Sequence, residues 1–95
     1  MKIEDLKVGM GKVDIEAEII SIEEPRTFMR NDKEGRVTKA RIKDDTGEFT
    51  LTLWNKEIDM VKEGVKIKIK NGYVSEFQGE PQLSAGKFGK LEVIE

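Results

Sequence analysis

Alternation of apolar and polar residues organises most of this chain. Over residues 12–24, KVDIEAEIISIEE, the apolar Val13, Ile15, Ala17 and Ile19 are separated by Asp14, Glu16 and Glu18. A period of two marks a strand with one face in a core. The phase changes at Ile19-Ile20, and Ile22 continues on the other parity. A strand that changes faces midway suits a small barrel in which it bends to serve both sides. Residues 25–36, with Pro25, Asn31-Asp32 and Gly35, show no sustained period and read as a long loop. A second strand is predicted over 37–43, where Ala40 and Ile42 oppose Lys39, Arg41 and Lys43. A third covers 48–54, with Phe49, Leu51 and Leu53 on one side and Thr50, Thr52 and Trp54 on the other. Between them, Asp44-Asp45-Thr46-Gly47 has the chemistry of a turn.

Asn55 is placed to cap a short helix over 56–63, with Gly64 as its C′ residue. Val65, Ile67 and Ile69 then alternate with Lys66, Lys68 and Lys70 in a fourth strand. Asn71-Gly72 reads as a bulge or bend rather than a hairpin turn, because the strand-like YVSEF follows directly. A turn at 78–81 leads to a fifth strand at 82–85, and Gly86 and Gly89 bracket a flexible stretch. Leu91, Val93 and Ile94 end the chain as strand-like sequence. Strands this short each bury one face, and closing the sheet removes exposed edges. The helix between strands three and four can plug an open end. The expectation is therefore one all-β domain over residues 1–95, a five-stranded Greek-key OB-fold barrel. An SH3-like barrel would give the helix no task.

Composition narrows the chemistry. Among 95 residues, 38% are charged and 37% hydrophobic, against a usual quarter charged, which fits a small domain with much wetted surface. With no Cys and no His, disulfides, thiolate nucleophiles, zinc sites of the usual kind and Ser-His triads are excluded. Only a carboxylate Mg²⁺ or Ca²⁺ site stays open, and no cofactor is expected. No apolar run approaches the ~20 residues that span a bilayer, and the start MKIED carries no apolar signal region. A soluble cytoplasmic protein is expected, with no membrane partner. Asp44-Asp45 adjoin in a turn, no carboxylate has a visible partner base or nucleophile, and Gly86-Lys87-Phe88-Gly89 lacks the rest of a phosphate-binding loop. No enzymatic activity is expected.

The net charge of −2 argues against nucleic acid, but its distribution argues for it. Residues 26–43 carry a net +5 between two segments of −4, and all four arginines fall there. Trp54 shares the outward face of its strand with Thr50 and Thr52, and a lone outward indole is poor core material. Base stacking on such a ring contributes about 1–3 kcal/mol per base. The neighbouring strand sends Lys39, Arg41 and Lys43 outward beside it. Phe77 precedes the Gly79 turn and Phe28 sits in the arginine-bearing segment, so both flank the groove of such a barrel. Tyr73 is ambiguous, because a bulge at Gly72 reverses its side; Phe88 is a weaker aromatic. Arg26, Arg30, Lys33, Arg36, Lys39 and Arg41 are the candidate phosphate contacts.

The stretch VTKARIKDDTGEFTLTLW, the GYVSEFQG run and the opening IEDLKVGM resemble the OB-fold unit of archaeal single-stranded DNA-binding proteins and of the replication protein A family. The resemblance covers nearly the whole chain. It implies single-stranded DNA binding in replication, recombination or repair, with stacking by Trp54 and Phe77 and a family aromatic at Tyr73. Relatives often place another aromatic near Ser84, where serine cannot stack, so lower affinity or a shorter contacted length is implied. The resemblance is also compatible with one unit of a longer chain, or with sister OB domains or subunits as partners, where modest affinities combine. Two alternatives stay open on the residues alone: a protein-interaction OB domain, and an RNA-binding one.

Overall fold

The computed structural model describes residues 2–85 and 89–94. The segment 86–88, with Phe88 and most of the stretch expected to be flexible, lies outside them. Among the described residues, a 3₁₀ turn at Ile3–Asp5 precedes seven strands: β1 (Val13–Ile22), β2 (Arg26–Arg30), β3 (Lys33–Asp44), β4 (Gly47–Trp54), β5 (Lys66–Phe77), β6 (Glu80–Ser84) and β7 (Lys90–Val93). One helix, α1 (Lys56–Met60), joins β4 to β5. The pairing runs β1-β3-β4-β6-β5, and β5 returns to β1, so five strands close into a barrel. All contacts along this ring are antiparallel except β4–β6, which is parallel. This is the expected OB architecture, with β2 added to β3 and β7 added to β5.

Closure depends on β1. Its first half pairs with β5, from Val13 to Glu18, and its second with β3, from Glu18 to Ile22. A register shift between Ile19 and Ser21 bends it where the phase of the sequence changes. The alternating residues supply the core. Val13, Ile15, Ala17 and Ile19 meet Ala40, Ile42, Leu51, Leu53, Ile67, Ile69, Val74 and Leu83, all buried. Each Val, Leu or Ile side chain buried in this way contributes about 1.5–3 kcal/mol. Asn71 (φ 54°) marks the anticipated bulge in β5, opposite the register shift at Val13/Ile15.

Three local expectations are corrected. Residues 25–36 are not a loop but largely the β2–β3 hairpin, closed by Asn31 and Asp32 with φ of 53° and 62°. Both central residues with positive φ are the requirement of a type I′ turn, which matches the twist of paired strands. The helix ends at Met60, with Val61 extended, so Gly64 is not its C′ residue; Gly64 lies in the turn before β5 and donates to the Ile19 carbonyl at 2.7 Å. Asn55 makes no side-chain cap. Its Oδ1 instead accepts from the Arg36 N–H at 3.0 Å, while its own N–H donates to the Arg36 carbonyl at 2.9 Å.

The N-terminal segment is tied across one end of the barrel. Asp44 Oδ2 accepts from the Ile3 N–H at 2.8 Å, and Oδ1 accepts from the N–H and hydroxyl of Thr46. Burial opposes ionisation of Asp44, but these bonds, with one from the Gly47 N–H, outweigh it and hold its carboxyl below the ordinary 3.8. A folded pKa below the unfolded one means that this stabilisation is present above about pH 4 and disappears as pH falls through the folded value. Asp44→Ala should cost about 2 kcal/mol in chemical denaturation. Asp44→Asn should flatten the acid limb of stability against pH; an unchanged limb would show that the N-terminal tie carries no weight.

Candidate nucleic-acid interface

Register decides which side chains share the outer face of the barrel. In β3 and β4, Val37 lies opposite Trp54, Lys39 opposite Thr52 and Arg41 opposite Thr50. In β5 and β6, Tyr73, Ser75 and Phe77 lie opposite Ser84, Gln82 and Glu80, and Thr52 is beside Ser84 across the parallel pair. Directly opposed residues point the same way. Trp54, Tyr73 and Phe77 therefore stand on one face, and they are 42%, 50% and 55% exposed. The bulge thus places Tyr73 with the other two rings. Lys39 Nζ sits 5.7 Å from the centroid of Phe77, a cation–π contact at the rim.

The β2–β3 hairpin forms one wall. Arg26, Phe28 and Arg30 lie opposite Val37, Gly35 and Lys33, on the same face as Trp54. The Phe28 ring lies across Gly35: a Cβ there would fall 2.7 Å from Phe28 Cε2. Glycine at this position is thus a seat for the ring rather than a turn residue. Phe28 meets Trp54 edge-on, with centroids 6.0 Å apart at 86°. An open depression bounded by Phe28, Arg30, Trp54, Tyr73 and Phe77 results, floored by Thr52, Gln82 and Ser84. It continues past Trp54 and Phe77 to Arg26 and Lys39.

The floor is hydrogen-bonded. Thr50 donates to Glu80 Oε1 at 2.7 Å and accepts from Arg41 at 2.9 Å; Thr52 donates to Gln82 Oε1 at 2.8 Å. Gln82 is buried on the groove side of β6, and its Nε2 finds no hydrogen-bond partner among the described residues. Sequence patterning missed Gln82, since a polar residue directly after a turn reads as solvent-facing. It also missed Glu57, which lines the groove and accepts from the Trp54 N–H at 3.0 Å, fixing the backbone that carries the indole. Burial pushes the Glu57 carboxyl above its ordinary value, against that hydrogen bond.

The candidate phosphate contacts divide. Arg26, Arg30 and Lys39 line the groove. Lys33 is paired with Arg30 at the hairpin tip, outside the lining. Arg41 shares the face but is engaged by Thr50 and, at 3.5 Å, by Glu48. Arg36 has the opposite parity and reaches α1, its guanidinium 2.6 Å from Asp59 and 3.3 Å from the Asn55 carbonyl. That hydrogen bond, with the attendant charge attraction, holds the Asp59 carboxyl below its ordinary value. Among the described residues, no group of three or more acidic side chains is placed to hold a metal ion. Nor is any helix long and apolar enough to cross a membrane.

Residues 6–93 match the family described as single-stranded DNA binding protein Ssb-like, OB fold. The chain belongs to this family. It is 32% identical over 90 residues to the single-stranded DNA binding protein Ssb of Saccharolobus solfataricus, covering 95% of this chain and 61% of that protein. It is 40% identical over 63 residues to replication factor A of Methanothermobacter thermautotrophicus, covering 61% of this chain but 8% of that protein. It therefore spans less than two thirds of either curated relative. The second OB-fold domain of replication protein A from Methanococcus maripaludis superposes with a TM-score of 0.79 at 30% identity, covering 100% of this chain and 94% of that one. The OB-fold family accounts for the closed five-strand ring and for the position of the helix.

The seat of Phe28 is testable in the free protein. Gly35→Ala should expel the ring, change the near-ultraviolet circular dichroism of the single tryptophan and cost about 1 kcal/mol, the scale of an edge-on aromatic pair. In a Phe28→Ala background the same substitution should cost close to nothing. Equal costs in both backgrounds would separate Gly35 from the ring.

Proposed function

We propose that this chain binds single-stranded DNA through the groove, largely without sequence preference, as a module of the replication protein A kind serving replication, recombination or repair. The observation that carries this reading is the set of exposed rings of Trp54, Tyr73 and Phe77 on one face, with Lys39, Arg26 and Arg30 at its rim. Unpaired bases offer a π-face whatever their identity, so the rings stack on them without reading them. The cations neutralise phosphates and release counterions. Phe28 extends the ring row along the hairpin wall and meets the indole edge-on. Arg36, held by Asp59, is assigned to the scaffold rather than to phosphate.

Glu57 and Glu76 line the same groove and oppose a polyanion. Modest affinity for a single unit follows, and sister OB modules on the same strand would raise it through effective concentration. The acids also limit non-specific adhesion of a domain whose net charge is −2.

Titration with oligo-dT should quench the emission of Trp54, the single tryptophan of the chain. Trp54→Ala, followed by chemical shifts, should bind roughly five- to a hundredfold more weakly, the range expected for one lost stacking partner. Lys39→Gln and Arg26→Gln should each reduce the slope of log affinity against log salt by about 0.7. Matched RNA strands and acidic peptides serve as competitors. Binding of peptide with no response to either nucleic acid would defeat the proposal.

The raised pKa of Glu57 gives a pH signature. Protonation removes a negative charge from the groove, so strand affinity should rise as pH falls through that pKa. Glu57→Gln should bind about two- to threefold more tightly at neutral pH and low salt, the scale of one weakly screened charge. It should also lose that part of the pH dependence.

A further inference from the structure

Gln82 is the polar side chain that the groove leaves unsatisfied. It is only 6% exposed, sits on β6 opposite Ser75 of β5, and lines both arms of the groove. Its Oε1 is taken by the Thr52 hydroxyl at 2.8 Å, and its Nε2 has no partner among the described residues. Buried polar groups are almost always paired, so an amide N–H left over beneath a ligand groove points to a partner supplied by the ligand.

We infer that Gln82 donates a hydrogen bond from Nε2 to a base seated among Trp54, Tyr73 and Phe77, and so biases one base position. This rests on the strand-binding reading and refines it: stacking accepts any base, and the amide grades them. The lock from Thr52 decides the grading. A free Gln amide pairs with adenine by donating to N7 and accepting from N6. Here the bond from Thr52 holds Oε1 toward β4, so the edge turned to a base is the Nε2 amino group, and the paired contact to adenine through N6 is lost. That amino group suits an exocyclic carbonyl oxygen, which thymine, cytosine and guanine carry and which accepts through two lone pairs; adenine offers only ring nitrogens, with N1 and N7 each flanked by the N6 amino group. When adenine is seated, Nε2 can still donate to N7 or N1, but the neighbouring N6 amino group then faces it donor to donor, so that pairing is the weaker one. The preference is for carbonyl-bearing bases at this position.

Binding of oligo-dT and oligo-dA of equal length, measured at one salt concentration, gives the ratio of the two affinities. Self-stacking of adenine strands contributes to that ratio in every variant, so the informative quantity is its change. Gln82→Leu should reduce the dT preference about two- to fivefold, the scale of part of one hydrogen bond. Thr52→Val keeps the β-branched shape of the strand residue, removes the lock and lets the amide turn to meet adenine; it should reduce the preference to a similar extent. In the unsubstituted protein, replacing thymines in oligo-dT with difluorotoluene, an isostere without carbonyl oxygens, should weaken binding. In Gln82→Leu it should have little effect. A dT:dA ratio that stays the same in both variants while strands still bind would overturn the role of Gln82 and leave the strand-binding reading intact. Absence of binding to any strand by the unsubstituted protein would overturn both.

Discussion

The barrel depends on a single strand that changes partners. β1 leaves β5 and joins β3 within a few residues, and the bend at Ile19–Ser21 makes both pairings possible. Backbone bonds pin that bend from the side. The Ile19 N–H donates to the Val65 carbonyl at 2.9 Å, and the Ile19 carbonyl accepts from Gly64. The turn that launches β5 is thereby fastened to the residue at which β1 bends. Without this, β5 and β6 would have no reason to curve back toward β3 and β4, and Phe77 would not lie near Lys39.

The core and the groove are two outcomes of one parity rule. Leu51 and Leu53 fill the interior, so Thr50, Thr52 and Trp54 must point outward. β6 and its neighbours cover the first two, and Trp54 is left open at the strand end. The cationic residues are sorted by the same rule. Arg26, Arg30 and Lys39 have the groove parity, whereas Arg36 has the other and is used to clamp Asn55, which tolerates its φ of 48° with bonds from both sides. A run of arginines in sequence is thus two populations in space, one committed to scaffold and one turned to the groove.

What the sequence made legible follows from what each segment packs against. β1, β4 and the first half of β5 line the interior, so their alternation is strong and their faces are read directly. β2 has no core beneath it; Arg26, Thr27, Met29 and Arg30 are all exposed and Phe28 is half-buried on Gly35. Periodicity therefore has nothing to register there, and the segment looks irregular. The usable signal was local: Asn31-Asp32, a pair that tolerates positive φ, with a glycine and an aromatic at matching distances on either side. Asn55 misled for the opposite reason. Its propensity to cap is real, but the competing bond to Arg36, 19 residues away, is invisible in local sequence. Gln82 and Glu57 became recognisable only when tertiary pairing placed them under and beside the rings.

Both walls of the groove end in two-residue reversals, Asn31-Asp32 on one side and Gln78-Gly79 on the other, all four with positive φ. Neither tip takes part in the ring of strands that closes the barrel. Inserting one residue into each arm of either ribbon would preserve every facing relation below it. Reach along a bound polymer can therefore drift in evolution, or be tuned by design, without disturbing the thermodynamic heart of the domain.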